Sequence, residues 1–377
     1  MALLFWIALG AVGYTYVGYP LGLMLLARLK AKGTQVAAAN DAQPPVTVVI
    51  AAWNEAANLP RKIRSINASD YSGDVHIIVA SDGSDDDTEK VIGDFPNVTL
   101  ISLPTRQGKP SALNAAMAQV KTAHVVFTDA RQTLKRDAIA RLIRRLQDER
   151  VGAVSGELVQ IAADSQESVS VGLYWKYEKW IRQNESLVHS VPGVSGALYA
   201  IRTEDFSPLP SDTILDDFEV PIGILRKGKQ IKFESGAIMY DQVEADSAAE
   251  QRRKIRTLLG NYQSFRRNLW LFHPRQNPIW LQFMSHKVLR LVVPYWMVAL
   301  LVTPLFLQGI FYQLFLLTEG GFYLAVLVAK VIPASRGNRL IGFCNVFWDM
   351  NLSAVIALKR YLTNEIDVRW QKRPVGT

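Results

Sequence analysis

Three stretches of the chain differ in how apolar and polar positions follow one another. Residues 3 to 27 carry no charge at all, a little more than the ~20 apolar residues that cross the hydrocarbon core of a bilayer. A transmembrane helix is expected there. A cleaved leader fits less well, since no Lys or Arg precedes the apolar run and the run is too long. After a small, polar linker at 33–45, short apolar runs alternate with stretches of helical period. The pattern predicts strands at 46–52, 75–80, 98–102 and 124–128, each buried and parallel, with helices near 55–67, 84–93, 110–120 and 135–147. Such alternation builds an open α/β sheet, whose ligands bind outside the carboxyl ends of the strands. From about 275 the chain turns apolar again. The run Pro278–Phe283 reads as interfacial, and 291–307 and 310–331 read as spanning helices. Asn345, Asp349 and Asn351 would be costly against lipid, so 340–361 is expected to be re-entrant or interfacial.

Composition agrees with a mixed protein. Of 377 residues, 49% are hydrophobic, and the mean hydropathy is +0.08. That is too apolar for one soluble domain and too charged for a pure membrane bundle. Cys344 is the only cysteine, which excludes an intrachain disulfide and a cysteine-built metal site and suits a reducing compartment. The net charge of +8 raises the question of nucleic acid, but the basic excess lies beside the apolar segments, where it favours anionic headgroups, and no nucleic-acid partner is expected. Arg28, Lys30 and Lys32 follow the first span and place what comes next in the cytosol, most simply at a plasma or bacterial inner membrane. The tail carries Lys359, Arg360, Arg369, Lys372 and Arg373, which three C-terminal crossings would place outside. The expected organisation is an N-terminal span at 1–32, a cytosolic catalytic unit at 45–270, and interfacial and spanning helices with a basic tail at 275–377.

The strand ends hold the chemistry. The first predicted strand runs into Ala52 and Glu55, and the second into Asp82-Gly83-Ser84. A carboxylate at Asp82 can accept the imide N–H of a uracil, while Gly83 lets backbone approach a ligand; alternatively, Ser84 or Asp85 caps the next helix. Lys109 opens a helix after Gly108, where the helix end and the ammonium both favour phosphate. The glycine spacing and following hydroxyl of an ATP-binding loop are missing, which excludes that class. Asp129 ends the fourth predicted strand and is the candidate ligand for a hard divalent cation. Asp216-Asp217 suits a helix start. Tyr174, Trp175, Tyr177 and Trp180 recur at helical spacing, which more often marks core or membrane contact than a sugar platform.

The stretches VVIAAWNE, SDGS, GKPSALN, TDAR, VSGALYAIR and ILDDF, taken in this order, resemble glycosyltransferase family 2. This is the GT-A fold group that includes cellulose, hyaluronan and poly-N-acetylglucosamine synthases, and the likeness covers roughly 45–270. It implies a Rossmann-like GT-A domain flanked by membrane helices. By the resemblance Ala52, Glu55 and Asp82 contact the nucleoside, Lys109 and metal-bearing Asp129 the diphosphate, and Gly196 and Ala197 the sugar and acceptor. Asp217, second of the acidic pair with Asp216, is the implied general base. Two departures stand out. The DxD motif is Asp129-Ala130-Arg131, without its second carboxylate, so Mg²⁺ or Mn²⁺ is expected with little protein help. The QxxRW motif of processive synthases aligns only as Gln251, Arg252, Arg253, Lys254 and Ile255; these cations can neutralise a diphosphate or lie on anionic headgroups.

These features lead to inverting transfer from a nucleotide sugar, a UDP-sugar in particular, onto a growing saccharide. The rivals are a single transfer to a lipid-linked acceptor and an inactive membrane scaffold. Membrane lipids are expected partners, and an export partner is compatible with the reading. If the spans line an exit path, Gln308, Gln313 and Glu319 would face it.

Overall fold

The computed structural model describes residues 1–31, 43–161, 168–242 and 247–365. Lys32, most of the linker, and Arg369, Lys372 and Arg373 of the tail lie outside these residues. One mixed sheet organises the middle of the chain. Its strands are β1 (Val46–Ala52), β2 (Val75–Ser81), β3 (Val98–Ser102), β4 (His124–Thr128), β5 (Thr133–Leu134), β6 (Val151–Ile161), β7 (Leu198–Arg202) and β8 (Gln230–Gln242), in the order β3-β2-β1-β4-β7-β6-β8-β5.

The first four strands fall where the apolar runs predicted, and they pair in parallel. Every residue of β1 is buried, and its alternate side chains enter two cores. Val48 and Ile50 meet Leu59, Ile63, Leu142 and Ile143 on one face. Val49 and Ala51 share the other with Leu113, Phe127, Tyr199 and Phe218. This is a sheet covered by helices on both sides. β3 differs from expectation: it is the sheet edge and largely exposed. Past β4 the sheet becomes mixed, because β7 runs antiparallel to both β4 and β6 while β8 lies parallel to β6.

Two predicted helices start late for local reasons. The helix Leu59–Asn67 is preceded by Asn54 at φ 56, a left-handed position that Asn tolerates and that interrupts helical backbone. Before Thr88–Ile92, the side chains of Ser84 and Asp85 are turned back onto Asn54. They do not cap the following helix.

Among the described residues, four helices are long and apolar enough to cross a membrane: Ala2–Lys30, Trp280–Phe306, Ile310–Val331 and Arg339–Leu362. The expected interfacial run at Pro278–Phe283 leads straight into the second of these. The last, expected to be re-entrant or interfacial, is one unbroken helix. Its polar residues find partners within the protein: Asn345 and Asn351 are buried, Asp349 accepts from Lys330 Nζ at 2.7 Å, and Asn351 donates to the Phe347 carbonyl at 2.8 Å. The cost that argued against a span is thereby avoided. Gln308 and Gln313 are exposed, and Glu319 is half-buried.

The membrane helices and the sheet unit share packing. Ala354 and Ala357 join the core that contains Phe218 and Phe127, Tyr361 stacks on Tyr262, and Tyr19 and Leu23 of the first span pack with Ile181, Tyr177 and Trp180. Two members of the aromatic stripe, Tyr177 and Trp180, thus contact the first apolar helix, and Tyr177 donates to the Tyr16 carbonyl at 2.8 Å, while Trp175 is exposed.

Candidate active site

The carboxyl ends of β1, β2 and β4 lie in register, with Ala52 opposite Ser81, and the loops that follow them converge. Ala52 is fully buried, and its carbonyl accepts from the Asp82 amide at 2.8 Å. Glu55 anchors the next turn through Asn58, which donates to its carboxylate at 2.7 Å. Burial raises the Glu55 pKa above the ordinary carboxylate value.

Asp82, the expected nucleoside contact, is tied into the neighbouring loop. It is fully buried, and its two carboxylate oxygens accept backbone N–H bonds from Gln107 at 2.7 Å and Gly108 at 2.8 Å. A carboxylate engaged in this way holds a loop and keeps a second lone pair on each oxygen. The loop passes so close to Gly83, at φ +62, that a Cβ there would meet backbone atoms of Thr105 and Arg106 at 2.6 Å. Only glycine suits the position. Arg106, carried by this loop, covers the indole of Trp53 at 3.5 Å.

Gly108, at φ 97, caps the helix Lys109–Met117 and sets the direction of Lys109. The Lys109 ammonium lies 3.2 Å from Asp129 and 3.1 Å from Asp216. Burial alone would lower its pKa, but Asp129, Asp216 and Asp217 outweigh that and hold it above the ordinary lysine value. Asp216 and Asp217 begin the helix Asp216–Arg226, so helix start and cluster membership coincide. The structure therefore brings together Lys109, Asp129, Asp216 and Asp217 from three elements distant in sequence. Burial, with neighbouring Asp216, pushes the Asp217 carboxyl up to about 6, although the side chain keeps part of its surface open.

Gly196 and Ala197 close the arrangement. A Cβ on Gly196 would sit 2.8 Å from Asp217 Oδ2, and the Ala197 carbonyl accepts from Thr128 Oγ1 at 2.9 Å. The Val194 amide donates to the Asp217 carbonyl at 3.1 Å, which docks this loop on the acidic helix.

The basic candidates after Ser247 are placed differently. Arg252 and Arg253 are exposed, Gln251 is half-buried, and Lys254 pairs with Glu250 of its own helix at 3.0 Å. Ser247–Arg267 contributes lower down, where Gln263 accepts from the Ile214 amide at 3.0 Å and donates to the Asp212 carbonyl at 2.8 Å. It thereby fixes the segment entering Asp216.

Some contributors were missed in the sequence. Lys62 is fully buried, donates to Thr128 Oγ1 at 2.6 Å, and is pushed down to about 7 by burial. A lysine on the apolar face set by Leu59, Ile63 and Ile66 was the available signal. Arg182 donates to Ser155 Oγ at 2.7 Å, and that oxygen also accepts from the Ser195 amide. Nothing in the local sequence marked this pair.

For a divalent cation, Asp129 offers a carboxylate that is 41% exposed. Ala130 offers nothing, and Arg131 pairs with Asp241. Among the described residues no group of three His, Cys, Asp or Glu could hold a metal. A single exposed carboxylate suits a cation that takes its remaining ligands from phosphate and water.

Known proteins share both sequence and fold with this chain. The sequence profile described as glycosyl transferase family 2 matches residues 47–208. Poly-beta-1,6-N-acetyl-D-glucosamine synthase of Staphylococcus epidermidis is 22% identical over 233 residues, 60% of this chain and 56% of the synthase. The chain thus spans little more than half the length of that relative. An N-acetylglucosaminyltransferase of Bradyrhizobium elkanii is 31% identical over 122 residues, 31% of this chain and 67% of that protein. Among solved structures, a mannosyltransferase from Pyrobaculum calidifontis in complex with GDP-Man and Mn²⁺ superimposes with a TM-score of 0.71 at 22% identity, covering 96% of this chain and 99% of that one. The likeness in fold extends over the sheet and the apolar helices together. With its strand-end loops matched by the family profile and two thirds of a 31%-identical transferase covered, the chain belongs to glycosyltransferase family 2.

Proposed function

We propose that the protein transfers a sugar, with inversion, from a nucleotide sugar to a saccharide acceptor at the cytosolic face of a membrane. The observation that carries this reading is the cluster at the sheet edge, where Lys109 bridges Asp129 and Asp216 and Asp217 stands beside them. The donor lies over the ends of β1, β2 and β4. Its base faces the Ala52–Glu55 turn and Trp53, and its diphosphate meets Lys109 at the helix start. Asp82 acts through the loop it holds. Asp129 would hold a divalent cation, which would supply charge neutralisation for the diphosphate.

Asp217 receives the proton of the acceptor hydroxyl as that oxygen bonds to the anomeric carbon. The bond from that carbon to the diphosphate breaks on the opposite face, and its electron pair leaves with the diphosphate. Gly196 is needed because any side chain there would displace the base. Gly196→Ala is expected to lower kcat by about tenfold or more, consistent with an ångström-scale misplacement of a catalytic group, with donor binding retained. A parallel loss of donor affinity in an equilibrium titration would contradict that placement.

Relatives named for poly-N-acetylglucosamine synthesis and N-acetylglucosaminyl transfer put a UDP-activated N-acetylhexosamine first in a donor panel. The structural neighbour with GDP-Man puts GDP-mannose second. Arg28 and Lys30 after the first span support a cytosolic site, and Lys30 donates to the Val188 carbonyl at 2.6 Å. Single transfer to a lipid-linked acceptor is the second reading. It is favoured by the self-paired Lys254 and by Gln308 and Gln313 being exposed.

The test is release of nucleoside diphosphate by the lipid-reconstituted chain over the donor panel, with product size read from the same samples. Turnover with one donor is expected, lost in EDTA and restored by Mg²⁺ or Mn²⁺. Long products support polymerisation, and short lipid-bound products support single transfer. Donor binding without turnover across a broad panel of donors and acceptors would sink the enzymatic reading.

A further inference from the structure

The apolar helix Trp280–Phe306 enters the site just described, and this inference rests on the role given there to Asp217. Its first turns include a π-helical segment, Phe283–Val288, a geometry that often accompanies functional positions. Within it His286 is clamped between two acidic residues of the helix Ser168–Val188. Its Nδ1 lies 2.8 Å from Glu185 and its Nε2 3.0 Å from Glu178. Arg290 reaches Glu178 at 2.5 Å, and Tyr19 of the first span donates to Glu185 at 2.7 Å. Two membrane helices and a helix of the sheet unit are thereby tied together by buried polar contacts, which fix register where apolar packing alone would tolerate slippage.

Lys287 follows His286, and its side chain points the other way, toward the carboxylate cluster. Its ammonium lies 5.8 Å from the centre of the Phe218 ring. A Cβ on Gly193 would be 3.9 Å both from Lys287 Nζ and from the Asp217 carbonyl oxygen. Gly193 itself, at φ +142, is in backbone that side-chain-bearing residues rarely adopt. The ammonium therefore lies across a glycine from the backbone of the residue that carries the base. Among the described residues, no carboxylate lies within ion-pair distance of Lys287 Nζ. A cation held in a partly buried position without its own partner has Asp217 as the charge it can act on.

We propose that Lys287 is a positioning residue of the transfer site, an ammonium supplied by a membrane helix that gives Asp217 its counter-charge on the acceptor side. The site is then complete only when membrane helices and sheet unit are docked. The groups facing Asp217 are Asp216 on its own helix, Lys109 on the helix after β3, Asp129 at the end of β4, Arg182 on Ser168–Val188, Tyr199 on β7, and Lys287. Asp216 and Asp129 oppose ionisation of the base, whereas Lys109 and Lys287 favour it. Lys109 acts on Asp217 more strongly but is shared with Asp129 and Asp216 in ion pairs, and Arg182 is engaged with Ser155, whereas Lys287 adds its charge to Asp217 from the apolar helix.

The test uses the full chain in lipid, comparing wild type with Lys287→Met and Lys287→Arg over pH 5 to 9. Loss of one cation should move the acid limb of kcat/KM up by about one pH unit. Lys287→Met is then about tenfold slower than wild type at pH 5.5 and within about twofold at pH 8.5, whereas Lys287→Arg keeps the wild-type limb. Donor binding and melting temperature serve as fold controls. The titration of Asp217 is also followed without turnover, as the infrared carboxyl band that Asp217→Asn removes, and the same shift is expected there. If wild type is inert but the band shifts, the functional reading fails and the positioning role stands. An unshifted band, or a loss of rate equal at every pH, overturns the proposal.

Discussion

Asp217→Asn is expected to abolish sugar transfer while donor binding and fold survive. Removing a positioned general base costs about 10²- to 10⁴-fold, and the amide keeps the shape of the side chain beside Gly196. Donor affinity should be retained because the diphosphate contacts, Lys109 and Asp129, lie on the other side of the cluster. The pH dependence follows from the same carboxyl. With its pKa pushed up to about 6, kcat/KM of wild type should fall tenfold per pH unit below that value. Stability moves the other way. A carboxyl whose folded pKa of about 6 exceeds the ordinary 3.8 stabilises the fold at low pH, and that contribution is lost as pH rises from about 4 to 6. The amide avoids the cost of a buried charge, so the variant should melt no lower than wild type at pH 7.5. Steady-state kinetics and thermal melts of reconstituted protein read both effects. More than a tenth of wild-type activity in the variant would remove Asp217 from the role of base.

Lys109→Met should damage stability and catalysis together. Lys109 is the cation between Asp129 and Asp216, and both it and Asp216 are largely withdrawn from water, with side-chain exposures of 15% and 8%. Breaking a buried ion pair from one side costs roughly 3–5 kcal/mol, because the remaining charge is left unpaired. The half-exposed Asp129 recovers water, so the loss should lie near the lower end of that range. Donor affinity should fall as well, since the helix start loses the ammonium that meets the diphosphate. Lys109→Arg should recover stability better than activity, because a planar fork does not reproduce a point charge between two carboxylates. Denaturant melts with and without donor separate the two losses. A Lys109→Met protein as stable as wild type would mean that the bridge carries no net stabilisation.

Much of this was legible before any coordinates. The apolar runs at 46–52 and 124–128 became β1 and β4 at those limits, because buried parallel strands need uninterrupted apolar residues on both faces, whereas 98–102 became β3 at its limits but on the exposed sheet edge. Lys109 and Asp129 could be singled out because each sits at a helix start or strand end that the alternation reveals, and Asp216 and Asp217 because they match the acidic pair of the resembling family. Other features were not legible. The hold of Asp82 on the loop, through the amides of Gln107 and Gly108, joins residues 25 and 26 positions apart. The strands β6, β7 and β8 carry glycines and charged residues, and their mixed pairing depends on partners far away in the chain.

The sequence by itself determined the alternation of strand and helix, four apolar stretches and the residue types at the sheet edge, since period, length and local caps are properties of neighbouring residues. Tertiary structure alone decided which carboxylate faces which cation. Lys62 under Thr128, Lys109 between Asp129 and Asp216, and Lys287 across Gly193 from Asp217 are meetings of residues from 20 to 107 positions apart. Electrostatic interactions fall with distance in space and take no account of separation along the chain. The polar residues of Arg339–Leu362 carry the same lesson. Their composition argued against a span, and only packing showed that Asp349 and Asn351 find hydrogen-bond partners within the protein.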